Sequence, residues 1–447
     1  MPAMTTKGVP EHDPAIFSDR RERVLNALGD GVMVLPAAPV QHSSRDTERP
    51  YHPDRELYYV TGVTEPQSLA ILVGGDEPRF VLFVRDRDPD AELWAGGRLG
   101  VEGAKERFSP DECHPIVALR ERLPELLQAS RSLYYRLGAS ETIEAFVRGA
   151  LTHARARGAR RGTGPRSVAD PGEILDRMRA IKDDAEIGRI REAVEVSIAG
   201  HRAGAAVIAP GVGEWAVEAA IDAAFRKAGA RGPGFETIVG SGPNTCVLHY
   251  VENGASIEDG DLVLVDAGAE VDFYHGDITR TYPASGRFDG RQRAVYEVVE
   301  AARAAAVDTV APHRTIGEVH EAAVRVLVEG LIALDALDGS VEELIETEAY
   351  KPYFPHQTSH WLGLDVHDPG DYAIGDASRK LLAGMVFTVE PGLYFRPGVE
   401  GVDAPEFERI GVRIEDDVLV TADGCDVLTE ALPTKPDDVE AMVGAAD

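Results

Sequence analysis

The sequence predicts an α+β chain in two parts, a smaller α/β layer over residues 1–175 and a larger half over 176–447 in which helices cover one face of a sheet. Three observations carry this. In the first part, short apolar runs alternate with helical patterns. In the second, strand-like runs, then helices, then strand-like runs follow one another, a segregation that favours an α+β sheet over a regular βαβ winding. Around residues 162–184 the stretch GTGPRSVADPGEI interrupts the periodicity, and 447 residues exceed what one hydrophobic core usually organises.

The elements follow in order. A helical pattern over about Ala15 to Leu28 leads to GVMVLP from Gly31, SLAILVGG from Ser68, RFVLFVR from Arg79 and SLYYRL from Ser132, each read as a strand. The polar segment Gln41 to Arg55, with two prolines and two histidines, reads as a long loop. Asp183 or Asp184 then caps a helix that runs to about Ala209 and stops at Pro210-Gly211. A second helix spans roughly Glu214 to Ala228 and ends before the glycines of GARGPGF. The β-formers of ETIVGSG, CVLHYV and DLVLVDAGAEV predict strands. Helices over about Arg291 to Ala311 and Ile316 to Leu334 follow, then strands in MVFTVEPGLYF and IGVRIEDDVLV.

Composition narrows the function classes. Lys and Arg number 46 against 76 Asp and Glu, and a formal charge of −30 repels a phosphate backbone, so nucleic acid is not an expected partner. Cys113, Cys246 and Cys425 are far apart with no C-x-x-C, which predicts reduced thiols rather than a disulfide framework or thiolate zinc site. The opening residues lack a charged segment followed by an apolar run, and no stretch approaches the ~18 apolar residues of a membrane span. A soluble, cytoplasmic protein with no membrane partner is the expectation.

Chemistry concentrates in the second half. Asp266 closes the apolar run Leu262-Val263-Leu264-Val265, and Asp277 follows after a glycine-containing turn, so a hairpin can bring both carboxylates to one point. Taken alone, each simply caps a turn. PHQTSHWLGLDVHDPG holds His356, His360 and His367; the glycine and β-branched residues after them argue for a loop or strand, with one histidine ligating and the others around it. Glu390 ends Val386-Phe387-Thr388-Val389, and Glu415 sits among apolar residues two positions after Arg413, on the same strand face. Such desolvated acids need a partner, which is a metal or, in the structural alternative, Arg413. Together Asp266, Asp277, Glu390 and Glu415 balance two divalent cations, and His360 adds one neutral nitrogen. This hard, oxygen-dominated set suits Mn2+ and accepts Co2+, Fe2+ or Zn2+.

HYVEN, LVLVDAGAE, GDITRTYP, SHWLGLDVHD, TVEPGLY and GVRIEDD, in that order, resemble the pita-bread metallopeptidases. SRDTERPYHPDRELYYVTGVTEP and LFVRDRDPDAELWAGGRLG resemble the accessory domain of the aminopeptidase P branch. The resemblance spans nearly the whole chain. It implies a C-terminal pita-bread domain, a curved antiparallel sheet with helices on its outer face. It also implies that Asp266, Asp277, His360, Glu390 and Glu415 bind two metals, with Asp277 and Glu415 bridging. His249 then lies near the scissile peptide, His367 steadies the tetrahedral intermediate, His356 is a substrate-side histidine, and Arg413 stands beside the metal-binding glutamate. Gln357-Thr358-Ser359 departs from the glycine that relatives often carry after the first histidine, but the spacing to His360 is kept.

The activity so implied is release of the first residue from peptides with proline in second position, by a water or hydroxide shared between two metal ions. Glu390 is expected to move the water's proton to the leaving nitrogen, with His249 and His367 as donors to the oxyanion. A proline pocket is expected from Trp361 or Tyr372, and Asp46 on the polar loop is expected near Arg413 or the substrate entrance. The alternatives are a prolidase that cuts only dipeptides, or a non-enzymatic peptide-binding relative. A homodimer or homotetramer is expected, with Trp94 as an assembly feature.

Overall fold

A computed structural model describes residues 14–160 and 162–445, so the reading of the opening segment MPAMTTKGVPEHD lies outside the described residues. The chain divides into two compact units, Met1–Met178 and Arg179–Asp447.

In the first unit the strands are β1 (Val32–Pro36), β2 (Leu69–Val73), β3 (Arg79–Val84), β4 (Glu112–Pro115), β5 (Ser132–Tyr134) and β6 (Ser167–Ala169). They form one mixed sheet in the order β4-β3-β2-β1-β5-β6. Neighbours β1, β2 and β3 are antiparallel, while β3–β4, β1–β5 and β5–β6 are parallel. All five residues of β2 are buried, so both sheet faces are covered and its sequence reads as a continuous apolar run rather than an alternating one. Covering helices are α1 (Pro14–Leu28), α2 (Arg55–Thr61), α3 (Pro89–Ala95), α4 (Gly100–Phe108), α5 (Leu119–Gln128) and α6 (Glu141–Gly158); Leu123 and Leu127 of α5 and Val147 of α6 pack on Val32, Ile71 and Phe83. The short strands β4 and β6 escape sequence reading, being too brief to show a period. The unit's end falls at the end of α7 (Gly172–Arg179).

The second unit opens with α8 (Asp184–Val207), capped reciprocally by Asp183 and Glu186, and α9 (Glu214–Lys227). The two helices approach closely because Gly200 and Gly204 carry no side chain: a Cβ there would lie 2.2 Å from the Phe225 ring and 2.9 Å from Ile221. Strands β7 (Gly232–Pro233), β8 (Ile238–Ser241), β9 (Leu262–Ala267), β10 (Ala269–Val271), β11 (Tyr274–His275) and β12 (Ile278–Pro283) follow, then α10 (Gly290–Thr309), α11 (Ile316–Ala333) and α12 (Val341–Glu346). A small hairpin of β13 (Ala373–Ile374) and β14 (Ala377–Ser378) precedes β15 (Val386–Val389), β16 (Gly392–Tyr394), β17 (Gly411–Arg413), β18 (Asp416–Val420) and β19 (Cys425–Val427), and α13 (Pro436–Met442) closes the unit.

Every ladder among the described residues of this unit is antiparallel. Ladders β12-β9-β8, β15-β18-β19 and β16-β17 are separate short segments; the single bridge Thr279↔Glu415 ties β12 to the break between β17 and β18, and Trp361↔Phe387 ties the loop at Trp361 to β15. Helices α10 and α11 bury Val295, Val299, Val324 and Leu327 against Val263, Val265 and Val412. One expected strand is absent: CVLHYV follows a 3-10 turn, Gly242–Cys246, and continues as a turn at Leu248 and His249. Gly242 has a φ of +52°, which starts the turn, and Pro243 has no N–H to give to a ladder.

Candidate metal centre

The antiparallel register sets the first ligands. Asp266 on β9 pairs with Thr279 on β12 and with Ile238 on β8, and residues paired across a ladder share a face. Asp277 stands one residue before β12, its backbone N–H donating to Asp417 Oδ2 at 3.0 Å. Glu415 occupies the break between β17 and β18, with its N–H on the Thr279 carbonyl (3.0 Å) and its Oε2 receiving the Thr279 hydroxyl (2.6 Å). Glu390 follows β15; its N–H donates to the Thr358 carbonyl (2.8 Å), and Pro391-Gly392 ends the strand there. His360 is tied to the same strand through Thr388.

The tautomer of His360 is set by its neighbours. Nδ1 faces the Trp361 carbonyl at 3.1 Å, and a carbonyl only accepts, so Nδ1 carries the proton. In the neutral ring Nε2 holds the lone pair, 3.4 Å from Asp277 Oδ2 and 3.6 Å from Glu390 Oε1, where either a proton or a cation can sit between them. Ligand atoms of Asp277, His360 and Glu415 lie within 4.8 Å of one another. Asp266 adds a buried Oδ1 with no hydrogen-bond partner.

Electrostatics shows what the cluster lacks. Burial pushes Asp277 up to about 6 and Glu390 up to about 7, against the partial offset of His360. Glu415 is held well above the usual carboxylate range by burial and by the charges of Asp277 and Glu390. Burial alone would lower His360, but the hydrogen bond to Asp277 and the charge of Glu390 outweigh it and raise the ring to about 9. Buried acids that can ionise only with a proton or cation among them, plus an orphaned carboxylate oxygen, fit divalent ions bound by these residues.

Arg413 is fully enclosed, and its partner is Asp266, at 2.6 Å, rather than Glu415 as the structural alternative required. It also donates to the Thr279 hydroxyl (3.1 Å) and the Tyr394 hydroxyl (3.2 Å). His356 Nδ1 donates to the Gln357 carbonyl (2.8 Å), so Nε2 accepts the Tyr394 O–H at 2.9 Å. Burial, then Arg413, holds His356 down at about 3, so the ring is neutral.

A cavity of about 460 Å³ collects all of these groups, with His249 and His367 on its wall and Phe235, Ile238, Leu248, Val251 and Val366 as its apolar side. His249 is exposed on the turn that replaced the expected strand, and the exposed His367 sets its ring edge-on to His360, centroids 4.3 Å apart. Trp361 and Tyr372 are not among the described residues lining this cavity. Trp361 is wholly buried, bridged to Phe387 and stacked on the half-exposed Tyr372, and its backbone N–H donates to the Tyr372 hydroxyl. Asp46 is exposed in the first unit, on a turn closed by the Ser43 N–H on the Thr47 carbonyl. Sequence reasoning missed Thr279, Tyr394 and Asp417. Only the acid run Glu415-Asp416-Asp417 offered a signal for the last of them.

Known proteins bear on this geometry. A model of metallopeptidase family M24 matches residues 188–422, and one of the aminopeptidase P N-terminal domain matches 17–134. The chain is 39% identical to the Xaa-Pro aminopeptidase of Escherichia coli, over 96% of this chain and 98% of that one. It is 35% identical to the Xaa-Pro aminopeptidase of Haemophilus influenzae, over 96% of each. Among solved structures, the aminopeptidase PepP of Pseudomonas aeruginosa superposes with a TM-score of 0.92 at 41% identity, over 96% of this chain and 98% of that one. The zinc-substituted E. coli aminopeptidase P with bound product gives 0.93 at 38%, over 98% and 100%.

Proposed function

Because the chain belongs to metallopeptidase family M24, and is therefore a hydrolase dependent on divalent metal ions, we propose that it releases the N-terminal residue from peptides whose second residue is proline. The observation that carries this is the convergence in one cavity of four carboxylates, the Nε2 of His360 and three further histidines, in a chain alike along its whole length to Xaa-Pro aminopeptidases. Asp266, Asp277, His360, Glu390 and Glu415 would hold two divalent ions. Ions bound there supply an acidified water and polarise the carbonyl of the first peptide bond.

The chain's own groups do the rest. Glu390 faces both His360 and His356, 3.6 Å from each, and is placed to take a proton from the attacking water and give it to the proline nitrogen. His249 and His367 reach the cavity from two separate segments and donate to the developing oxyanion. His356 spends its N–H on a carbonyl and its lone pair on Tyr394, so it presents a neutral ring, a wall rather than a proton carrier. Arg413 adds one positive charge beside Asp266 that favours an anionic transition state. The apolar side of Phe235, Ile238, Leu248, Val251 and Val366 accepts the pyrrolidine ring.

Manganese is the proposed ion, from the hard donor set. A cytoplasmic home is supported by free thiols at Cys113, Cys246 and Cys425. A homodimer or homotetramer is supported by Leu93 and Trp94 of α3, 80% and 88% exposed. No helix among the described residues is long and apolar enough to cross a membrane. Release of the first residue from an Xaa-Pro-Xaa peptide should fall to background on chelation and return with Mn2+. Cleavage of Xaa-Pro dipeptides alone would make the protein a prolidase, and binding without hydrolysis would sink both.

A further inference from the structure

We infer that a buried ion cluster behind the catalytic loop, in which Arg179 and Lys182 clasp Asp368, is what holds His367 in its working position; the inference rests on the aminopeptidase reading above. His367 has no hydrogen bond to its ring among the described residues, and the 361–368 segment that carries it contains no helix or ladder beyond the single bridge at Trp361. Apart from the edge-on contact with the His360 ring, its direction comes from the backbone. That backbone is closed by the Asp368 N–H on the Trp361 carbonyl (2.9 Å), and the Asp365 N–H donates to Asp368 Oδ1 (3.1 Å).

The Asp368 carboxylate therefore fills the inside of the loop. It packs against bare backbone, since a Cβ on Gly363 would lie 2.7 Å from Asp368 Oδ2. From outside the loop, Arg179 Nη2 reaches Asp368 Oδ1 at 2.5 Å and Asp365 Oδ2 at 2.7 Å, and Lys182 Nζ reaches Asp368 Oδ2 at 3.1 Å. Side-chain exposures of 3% for Arg179, 0% for Lys182 and 1% for Asp368 make this a fully desolvated cluster. Replacing such a cluster by apolar residues is often neutral or stabilising, so stability alone does not call for it, and geometric specification is the better-supported use. The residue specified is the one next to Asp368, which faces the cavity. Arg179, Lys182 and Asp368 are thus positioning residues acting through His367.

The test is a double-mutant cycle on the metal-loaded enzyme with an Xaa-Pro-Xaa peptide. His367→Ala should lower kcat/KM by about 100-fold, as loss of an oxyanion donor does. Asp368→Asn should lower it by about 10-fold, mostly in kcat with KM little changed, because the donor is needed in the transition state. In the His367→Ala background Asp368→Asn should cost nothing further. Lys182→Met leaves the Arg179–Asp368 pair intact and so keeps the fold; its smaller loss should likewise vanish without His367. Losses that multiply in the double variants would overturn the inference while leaving the aminopeptidase reading intact. A wild-type enzyme inactive on the peptide would overturn both.

Discussion

Two clusters of buried acid lie on opposite faces of one stretch of sheet, and they differ in what neutralises them. On the back face Asp416 is fully buried, yet Arg280 donates to its Oδ1 at 2.8 Å, Arg303 to its Oδ2 at 2.9 Å, and the Thr429 hydroxyl at 2.6 Å. Burial works to raise this carboxyl, but the two guanidinium groups outweigh it and hold it below its usual value. On the front face Arg413 is paired with Asp266 and His360 offsets only part of the burial, so Asp277, Glu390 and Glu415 are all pushed up. A buried carboxylate with its counter-charge built in holds the fold; one without it awaits a cation from outside.

Three measurements can break or sharpen that contrast. The largest effect is expected in the front cluster: Glu390→Gln should cut kcat by about 10²–10⁴-fold, the range of general acid–base catalysis. Full activity in a variant that still binds metal would remove the proton role from Glu390. In the back cluster, Asp416→Ala leaves the fully buried Arg280 without a carboxylate, while Arg303 keeps Glu300, and should destabilise the protein by about 3–5 kcal/mol in denaturant unfolding. Asp417→Asn, whose carbonyl can still accept the Asp277 N–H, should cost under about 1 kcal/mol. Equal losses for the two would mean that charge pairing does not distinguish the faces.

The smallest effect is a pH dependence confined to the metal-free protein. Asp277 and Glu390 rise from ordinary values of 3.8 and 4.5 to about 6 and 7, so the native state keeps protons that the unfolded chain has already released. His360, raised from 6.5 to about 9, acts in the same direction at higher pH. Through these groups the metal-free protein should lose stability relative to the metal-loaded protein as pH rises from about 4 to about 9, while His356, held at about 3, and His201, held at about 4, act in the opposite direction below about 6.5 in both forms. The same slope of melting temperature against pH with and without metal would mean that these groups are not the ones the ions bind.

The reading of the sequence succeeded where a local rule governs the outcome. An aspartate at 183 or 184 announces the start of α8, and the apolar runs of β1, β2, β3 and β9 are strands because buried strands read that way. The candidate ligands stood out as a set because each closes or interrupts such a run. What stayed hidden depends on pairings far apart in the chain. Nothing near Asp368 names Arg179, 189 residues away, and nothing in Glu415-Asp416-Asp417 names Arg280 and Arg303 as the partners of its middle member. Trp361 was assigned to the substrate by its nearness to the histidines, whereas its ring is wholly buried. CVLHYV has the composition of a strand, but Gly242 and Pro243 turn the chain just before it.

The run of three acids has a consequence for how this protein can change over evolutionary time. Glu415, Asp416 and Asp417 go to the metal cavity, the Arg280–Arg303 cluster and the Asp277 backbone respectively, so their identity is written in position along the strand. Inserting or deleting one residue upstream would send each acid to its neighbour's address, delivering Asp416 to the cavity and emptying the guanidinium cluster at once. A substitution here damages one face, but a change of length damages both faces together. Lineages of this enzyme should therefore vary in length at exposed turns such as that around Asp46 while holding the count of residues from Arg413 to Asp417 constant.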